Sequence, residues 1–227
     1  MLTMATVVVY SKENGVYSFF IGKESSFLRD SIPDVIPLES QAFPPKTSVI
    51  DMRKHFRVVA HTLSQKHGFR VQFDTPKQNP ETHVGKVRFR LEPKSPKFGI
   101  VKGGMEPQDG GLSINTALRE FREECMNIQL PTSLFVKAQP YKSKTAPIQP
   151  RDVYFLDVTQ FKDKLQMTME AWKQTYYGEL FDTQFKTQEE VCKLWKKLNI
   201  TSKIALEAFF YQNNLACGSG GLSLIHI

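Results

Sequence analysis

The chain has 227 residues, 41% hydrophobic and 23% charged, which suits one globular domain with a sizeable core, enlarged by an insertion. No run approaches the ~18 apolar residues that span a bilayer, and the opening "MLTMATVVVYSKENG" lacks the basic and apolar regions of a signal peptide, so no membrane partner and an intracellular location, cytoplasmic or nuclear, are expected. Thirty Lys and Arg against 23 Asp and Glu leave +7, which favours phosphate-rich partners.

In chain order, "TVVVY" and "VYSFFIG" flank an Asn14-Gly15 turn and predict a β-hairpin. From about residue 24 to 82 the text changes. Pro33, Pro37, Pro44 and Pro45 punctuate a loop, and Ile50, Phe56, Val59 and Leu63 space out a helix that stops before Gly68, so this stretch reads as an insertion. His55, His61 and His67 recur every six residues, which spreads them around that helix and argues against metal ligation. Short strands follow at "FRVQF", "GKVRFRL" and "KFGIVKGG", then a helix at "GLSINTALREFREECMN", strands at "SLFVKA" and "DVYFLDV", a surface helix from Phe161, and a strand or turn at "GELFDTQF". A Thr187 and Glu190 capping box opens the next helix, and "TSKIALEAFFYQN" forms the last. The order mixes strands and helices without a βαβ repeat, so the expected fold class is α+β with a mixed sheet.

Cys125, Cys192 and Cys217 have neither disulfide-framework nor zinc-ligand spacing and are expected as reduced thiols. Residues 217–227, ending "GSGGLSLIHI", read as a non-native tail and are set apart from the 1–216 domain, His226 included. Lys86, Arg88, Arg90, Lys94, Lys97 and Lys102 share one segment with a single acid, Glu92. Two readings of it stand: the solvated outer face of a strand, or an anion-binding approach in which Lys102, Arg88 and Arg90 meet substrate.

The helix "ALREFREECMNI" gathers Glu120, Glu123 and Glu124. With Glu120 at zero, Glu124 falls at about +40° and Glu123 at about −60°, so the three share one face. Ile114, Ala117, Leu118, Phe121 and Cys125 form the core-facing stripe. Like charges at i,i+4 repel, and Arg119 can pair with Glu123 four residues on. Mg²⁺ or Mn²⁺, which takes carboxylate oxygens together with phosphate, would offset the crowding. A solvated charged face is the other reading. Just upstream, "VKGGMEPQDGG" places Gly103 and Gly104 where backbone can approach a ligand closely.

This combination resembles the Nudix hydrolase box, G-x5-E-x7-R-E-U-x-E-E-x-G-U, where U is a bulky aliphatic residue. "REFREE", Arg119 to Glu124, fits R-E-U-x-E-E with Phe121 at U, and "VKGGMEP" looks like the glycine loop. The order of hairpin, Gly-Gly loop, acidic helix, strands and C-terminal helix is similar to the family's α/β/α sandwich. Gly110 or Gly111 occupies the upstream acid slot; Asp109 lies at the right distance from Gly103 but is separated from Arg119 by nine residues rather than seven, which requires a bulge. Met126 replaces the box glycine, leaving Asn127 to stop the helix and Ile128 to supply the apolar contact.

The resemblance implies a Mg²⁺- or Mn²⁺-dependent pyrophosphohydrolase that cleaves a phosphoanhydride in a nucleoside diphosphate-linked substrate, with capped or 5′-phosphorylated RNA (a decapping-like activity) among the candidates. It implies Glu120, Glu123, Glu124 and the Gly103 carbonyl as metal ligands. Glu123 is the alternative proton acceptor, and Arg119 orients the carboxylates. Asp109 and Glu179 are candidates for an additional acid. A non-catalytic Nudix-like nucleotide- or RNA-binding module is the alternative reading, and a charged-helix interaction protein a third.

Overall fold

The computed structural model describes residues 4–27, 35–39, 41, 43–44, 47–73, 89–125, 128–143, 151–172 and 179–217. Its strands are β1 Met4–Glu13, β2 Val16–Glu24, β3 Ser26–Phe27, β4 Val71–Phe73, β5 Phe89–Leu91, β6 Phe98–Gly99, β7 Val101–Gly104, β8 Phe135–Lys137, β9 Arg151–Asp157 and β10 Leu180–Thr187. Its helices are α1 Val35–Glu39, α2 Val49–His67, α3 Ser113–Glu124, α4 Lys162–Trp172, α5 Gln188–Lys193 and α6 Ile200–Gln212. The class is α+β with a mixed open sheet. Among the described residues no helix is long and apolar enough to cross a membrane.

The chain divides into two compact units. The first comprises Met1–Lys23, Lys97–Trp172 and Asp182–Ile227; the second comprises Glu24–Pro96 and Lys173–Phe181. The stretch from about 24 to 82 read as an insertion lies within the first segment of the second unit. That unit runs past residue 82 and takes in a further short segment.

In the first unit the sheet order is β10-β2-β1-β9-β8, with β6 on β2 and β7 on β1. β1 runs parallel to β9 and antiparallel to β2 and β7. Asn14 and Gly15 turn the hairpin at φ of 51° and 81°, as a two-residue turn with positive φ at both positions requires. Strand alternation then assigns the two faces of the sheet. Val8 and Phe155, register partners, join Phe19, Ile21 and the α6 residues Leu206, Phe209 and Phe210 in one buried cluster. The opposite parity carries Val7, Val9 and Leu156 to the other face, where Phe121 of α3 meets Phe135 edge-on at 5.9 Å.

Gly103, Ala5 and Asp152 lie on one rung across β7, β1 and β9. The carboxylate of Glu120 packs on Gly103, while Ser113 donates to Asp152. Two strand spacings, about 9.5 Å, match the rise of about 10.5 Å from Ser113 to Glu120. Helix α3 therefore lays one face along a single rung.

Cys192 and Cys217 form a disulfide across a sequence separation of 25, and Cys217 is buried in the α6 cluster. This corrects the expectation of reduced thiols for that pair: spacing along the sequence does not report that α5 and the residues after α6 meet. Cys125 is the free, buried cysteine. The ordered core includes Cys217, and the remainder of the tail, His226 included, lies outside the described residues.

In the second unit α2 has Ser48 as its N-cap, accepting from the Asp51 N–H at 3.1 Å, and Gly68 at φ 70° as its left-handed C-cap. Met52, Phe56, Ala60 and Leu63 face a core completed by Val35, Val71 and Phe89. β5 pairs with β3 and β4.

Candidate active site

The site is assembled in the first unit from the end of β7, the loop after it and the first three turns of α3. Pro107–Asp109 form a short 3-10 turn in which the Glu106 N–H donates to Asp109 at 2.8 Å. Gly110 and Gly111 follow at φ of 61° and 77°, left-handed conformations that a side chain would strain. These two residues carry the turn that leads from Asp109 into α3. They let α3 begin at Ser113 with Asp109 tucked against its second turn. Thr116 donates to Asp109 at 2.9 Å and Asn115 donates to its carbonyl at 3.0 Å.

Arg119 is the hub. Its Nε and Nη2 donate to the two oxygens of Asp109, each at 3.1 Å, a bidentate pairing. Nη1 donates to Glu120 at 2.6 Å and to Glu123 at 3.3 Å, and Nη2 also donates to the Gly104 carbonyl at 2.7 Å. Glu106 comes within 3.8 Å. Asp109 is only 2% exposed. Burial pushes its pKa up, but the hydrogen bonds from Arg119, the Glu106 N–H and Thr116 outweigh that and hold it below the usual carboxylate range. Burial likewise works against the Arg119 charge, and the hydrogen bond to Asp109 with the charges of Glu120 and Glu123 raises its pKa further above normal.

A Cβ placed on Gly103 would fall on the Glu120 carboxylate. Glycine at 103 is thus required by a close approach of side chain to backbone. Glu120 and Glu124 are both buried, and Glu123 is half-buried beside Arg119. The Glu124 charge adds to burial in pushing the Cys125 thiol well up, so that cysteine is held as a neutral thiol. The helix ends at Glu124, with the Cys125 N–H bonded to the Phe121 carbonyl; the expected stop at Met126-Asn127 lies outside the described residues.

Of the other sequence-predicted residues, Lys102 alternates with Gly103 and pairs with Thr6, which directs it to the sheet face opposite Glu120. Arg88 lies outside the described residues. Arg90 and Glu179 belong to the second unit, where the Arg90 guanidinium, 3% exposed, donates to Glu179 at 3.3 Å and to Ser25 at 3.2 Å. Arg90 is therefore buried and paired, which corrects the reading of it on a solvated outer face. Its alternation with Phe89 and Leu91 gave no hint that the polar side also is covered.

Thr116 and the cluster at the start of α3 escaped the sequence reading. Ser113 binds both Asp152 and the Tyr154 hydroxyl, the latter at 2.7 Å, and Lys137 pairs with Asp152 at 2.8 Å. The available signal was helical spacing: Ser113, Thr116 and Glu120 stand at i, i+3 and i+7 on the glutamate face.

Among the described residues no group of three His, Cys, Asp or Glu side chains stands together as a metal cage. The donor types nonetheless fit a hard divalent cation: buried carboxylates at Glu120 and Glu124, Glu123 on the same face, and a glycine backbone close enough that Gly103 has no room for a side chain. No known family model matches the chain, and no curated protein matches it.

Proposed function

We propose that this chain is a Mg²⁺- or Mn²⁺-dependent hydrolase of the Nudix type, cleaving a phosphoanhydride in a nucleoside diphosphate-linked substrate. The observation that carries the reading is the Glu120 carboxylate seated on Gly103 while Arg119 ties together Asp109, Glu120, Glu123 and the Gly104 carbonyl. Glu120, Glu124 and the Gly103 carbonyl would hold the cation, with Glu123 as a further ligand or as proton acceptor. A cation held there would supply charge neutralisation at the anhydride and would lower the pKa of the attacking water.

The chain's own residues do the positioning. Asp109 and Thr116 fix Arg119, and Arg119 in turn fixes the directions of Glu120 and Glu123. Glu123, the most exposed of the three glutamates, would be the one to take a proton from water, and its partial exposure supports that role. RNA bearing a 5′ cap or 5′ phosphates falls within the substrate class.

The test is incubation with nucleoside diphosphate derivatives and capped RNA under Mg²⁺ or Mn²⁺, beside Glu124→Gln. Metal-dependent turnover lost in the variant supports the reading; a wild type as inert as the variant on every substrate overturns it. The second reading is a nucleotide-binding module, favoured by the complete engagement of Asp109 in holding Arg119. It gains if ligands bind and none is cleaved.

A further inference from the structure

The positive charge of this chain is unevenly placed. From Met52 through Phe73 the sequence holds Arg53, Lys54, Arg57, Lys66 and Arg70 and no Asp or Glu, so 22 residues carry +5 of the total +7. Nearly all of this stretch is α2. Met52, Phe56, Ala60 and Leu63 bury one side of that helix. On the other, with Phe56 at zero, Arg57, His61, Lys54 and Gln65 fall between about 100° and 180°. All four are exposed. They form a single row along the axis at steps of about 4.5 to 6 Å. Among the described residues no carboxylate pairs with Lys54, Arg57 or His61.

We propose that this face of α2 binds single-stranded RNA through its phosphate backbone. Two cations, Lys54 and Arg57, in one row with the hydrogen-bonding side chains of His61 and Gln65 and no acid among them, suit a line of regularly spaced phosphates. Apart from the His61 imidazole no aromatic ring stands in this row, so the contact reads mainly backbone charge rather than sequence. The basic segment that the sequence drew attention to is a weaker candidate, since Arg90 within it is buried against Glu179. The proposal rests on the hydrolase reading only for choosing RNA as the polyanion.

The experiment is fluorescence anisotropy of a 5′-hydroxyl RNA of about 20 nucleotides, longer than the ~4–16-nucleotide sites of single-strand binders. The full chain is titrated in EDTA over a salt series. Neither a cap nor a metal is present, so the hydrolase site is not being read. Wild type and Glu124→Gln should bind alike. Lys54→Gln/Arg57→Gln should bind about tenfold more weakly, with a log-log salt slope shallower by roughly 1.4. The charge-keeping Lys54→Arg/Arg57→Lys should retain affinity, and Lys54→Gln/Arg57→Gln should still turn over a small nucleotide substrate. Equal affinity of wild type and Lys54→Gln/Arg57→Gln overturns the proposal, as does competition by polyglutamate as effective, charge for charge, as by RNA. The second outcome would make the face a dock for acidic protein. RNA binding without hydrolysis of any substrate refutes the proposed function and leaves this inference standing.

Discussion

Alanine at Gly103 would bring a methyl group onto a carboxylate that Arg119 holds from the other side. The Glu120 side chain, not the strand, must yield. Gly103→Ala is therefore expected to lower metal-dependent kcat/KM by about 100-fold, the scale of a 1 Å misplacement, while its thermal melt stays close to wild type. A melt lowered as severely as activity would show instead that the strand gives way. Asp109 acts differently. It is buried and bidentate to Arg119, so Asp109→Asn should cost about 3 kcal/mol of stability in urea unfolding, the scale for breaking a buried pair.

The same carboxylate sets an acid limb. Its folded pKa is depressed, so its contribution is full above the unfolded value of 3.8 and is lost as pH falls through the lower folded value. Wild type should lose stability on acidification below about pH 4, and Asp109→Asn should show a shallower loss across the same range. Parallel curves would contradict the assignment of the shift to this residue.

At the scale of elements, the acidic helix shows what was legible and what was not. Amphipathic spacing gave α3, its core stripe and the shared face of three glutamates, because helical geometry alone fixes those angles. Gly110-Gly111 also had a readable meaning: two adjacent glycines are what a left-handed turn needs, and that turn brings Asp109 back to Arg119. Alanine at both positions should cost about 1–2 kcal/mol each in unfolding experiments and weaken activity through Asp109. Sequence could not give the Ser113, Asp152, Tyr154 and Lys137 cluster, since its members are joined by a strand register, β1 parallel to β9, that no local pattern encodes. Nor could it place Lys102 against Glu120, because a neighbouring position on a strand is the opposite face of the sheet.

For the whole molecule, the pairing of Cys192 with Cys217 decides how firmly the C-terminal helix is tied down. Residues after α6 return to α5, where Gln188 also donates to the Ala216 carbonyl at 2.7 Å. Closing a loop of 25 residues restricts the unfolded chain by about 3 kcal/mol in the loop-entropy account. The hydrophobic contacts around Cys217 remain when the bond is opened, since Phe209 and Phe210 are anchored independently by Tyr10, Phe19 and Phe155. The reduced protein should therefore fold. Urea unfolding of the full chain with and without dithiothreitol should differ by that amount, and Cys192→Ser should match the reduced wild type and be insensitive to reductant. Because Ser113–Glu124 packs on the face of the sheet opposite α6, metal-dependent turnover should be the same in both redox states at temperatures well below the melt. A turnover that follows the disulfide would mean that the α6 face reaches the site through the shared strands, and β1, which borders both, would be the element to mutate next.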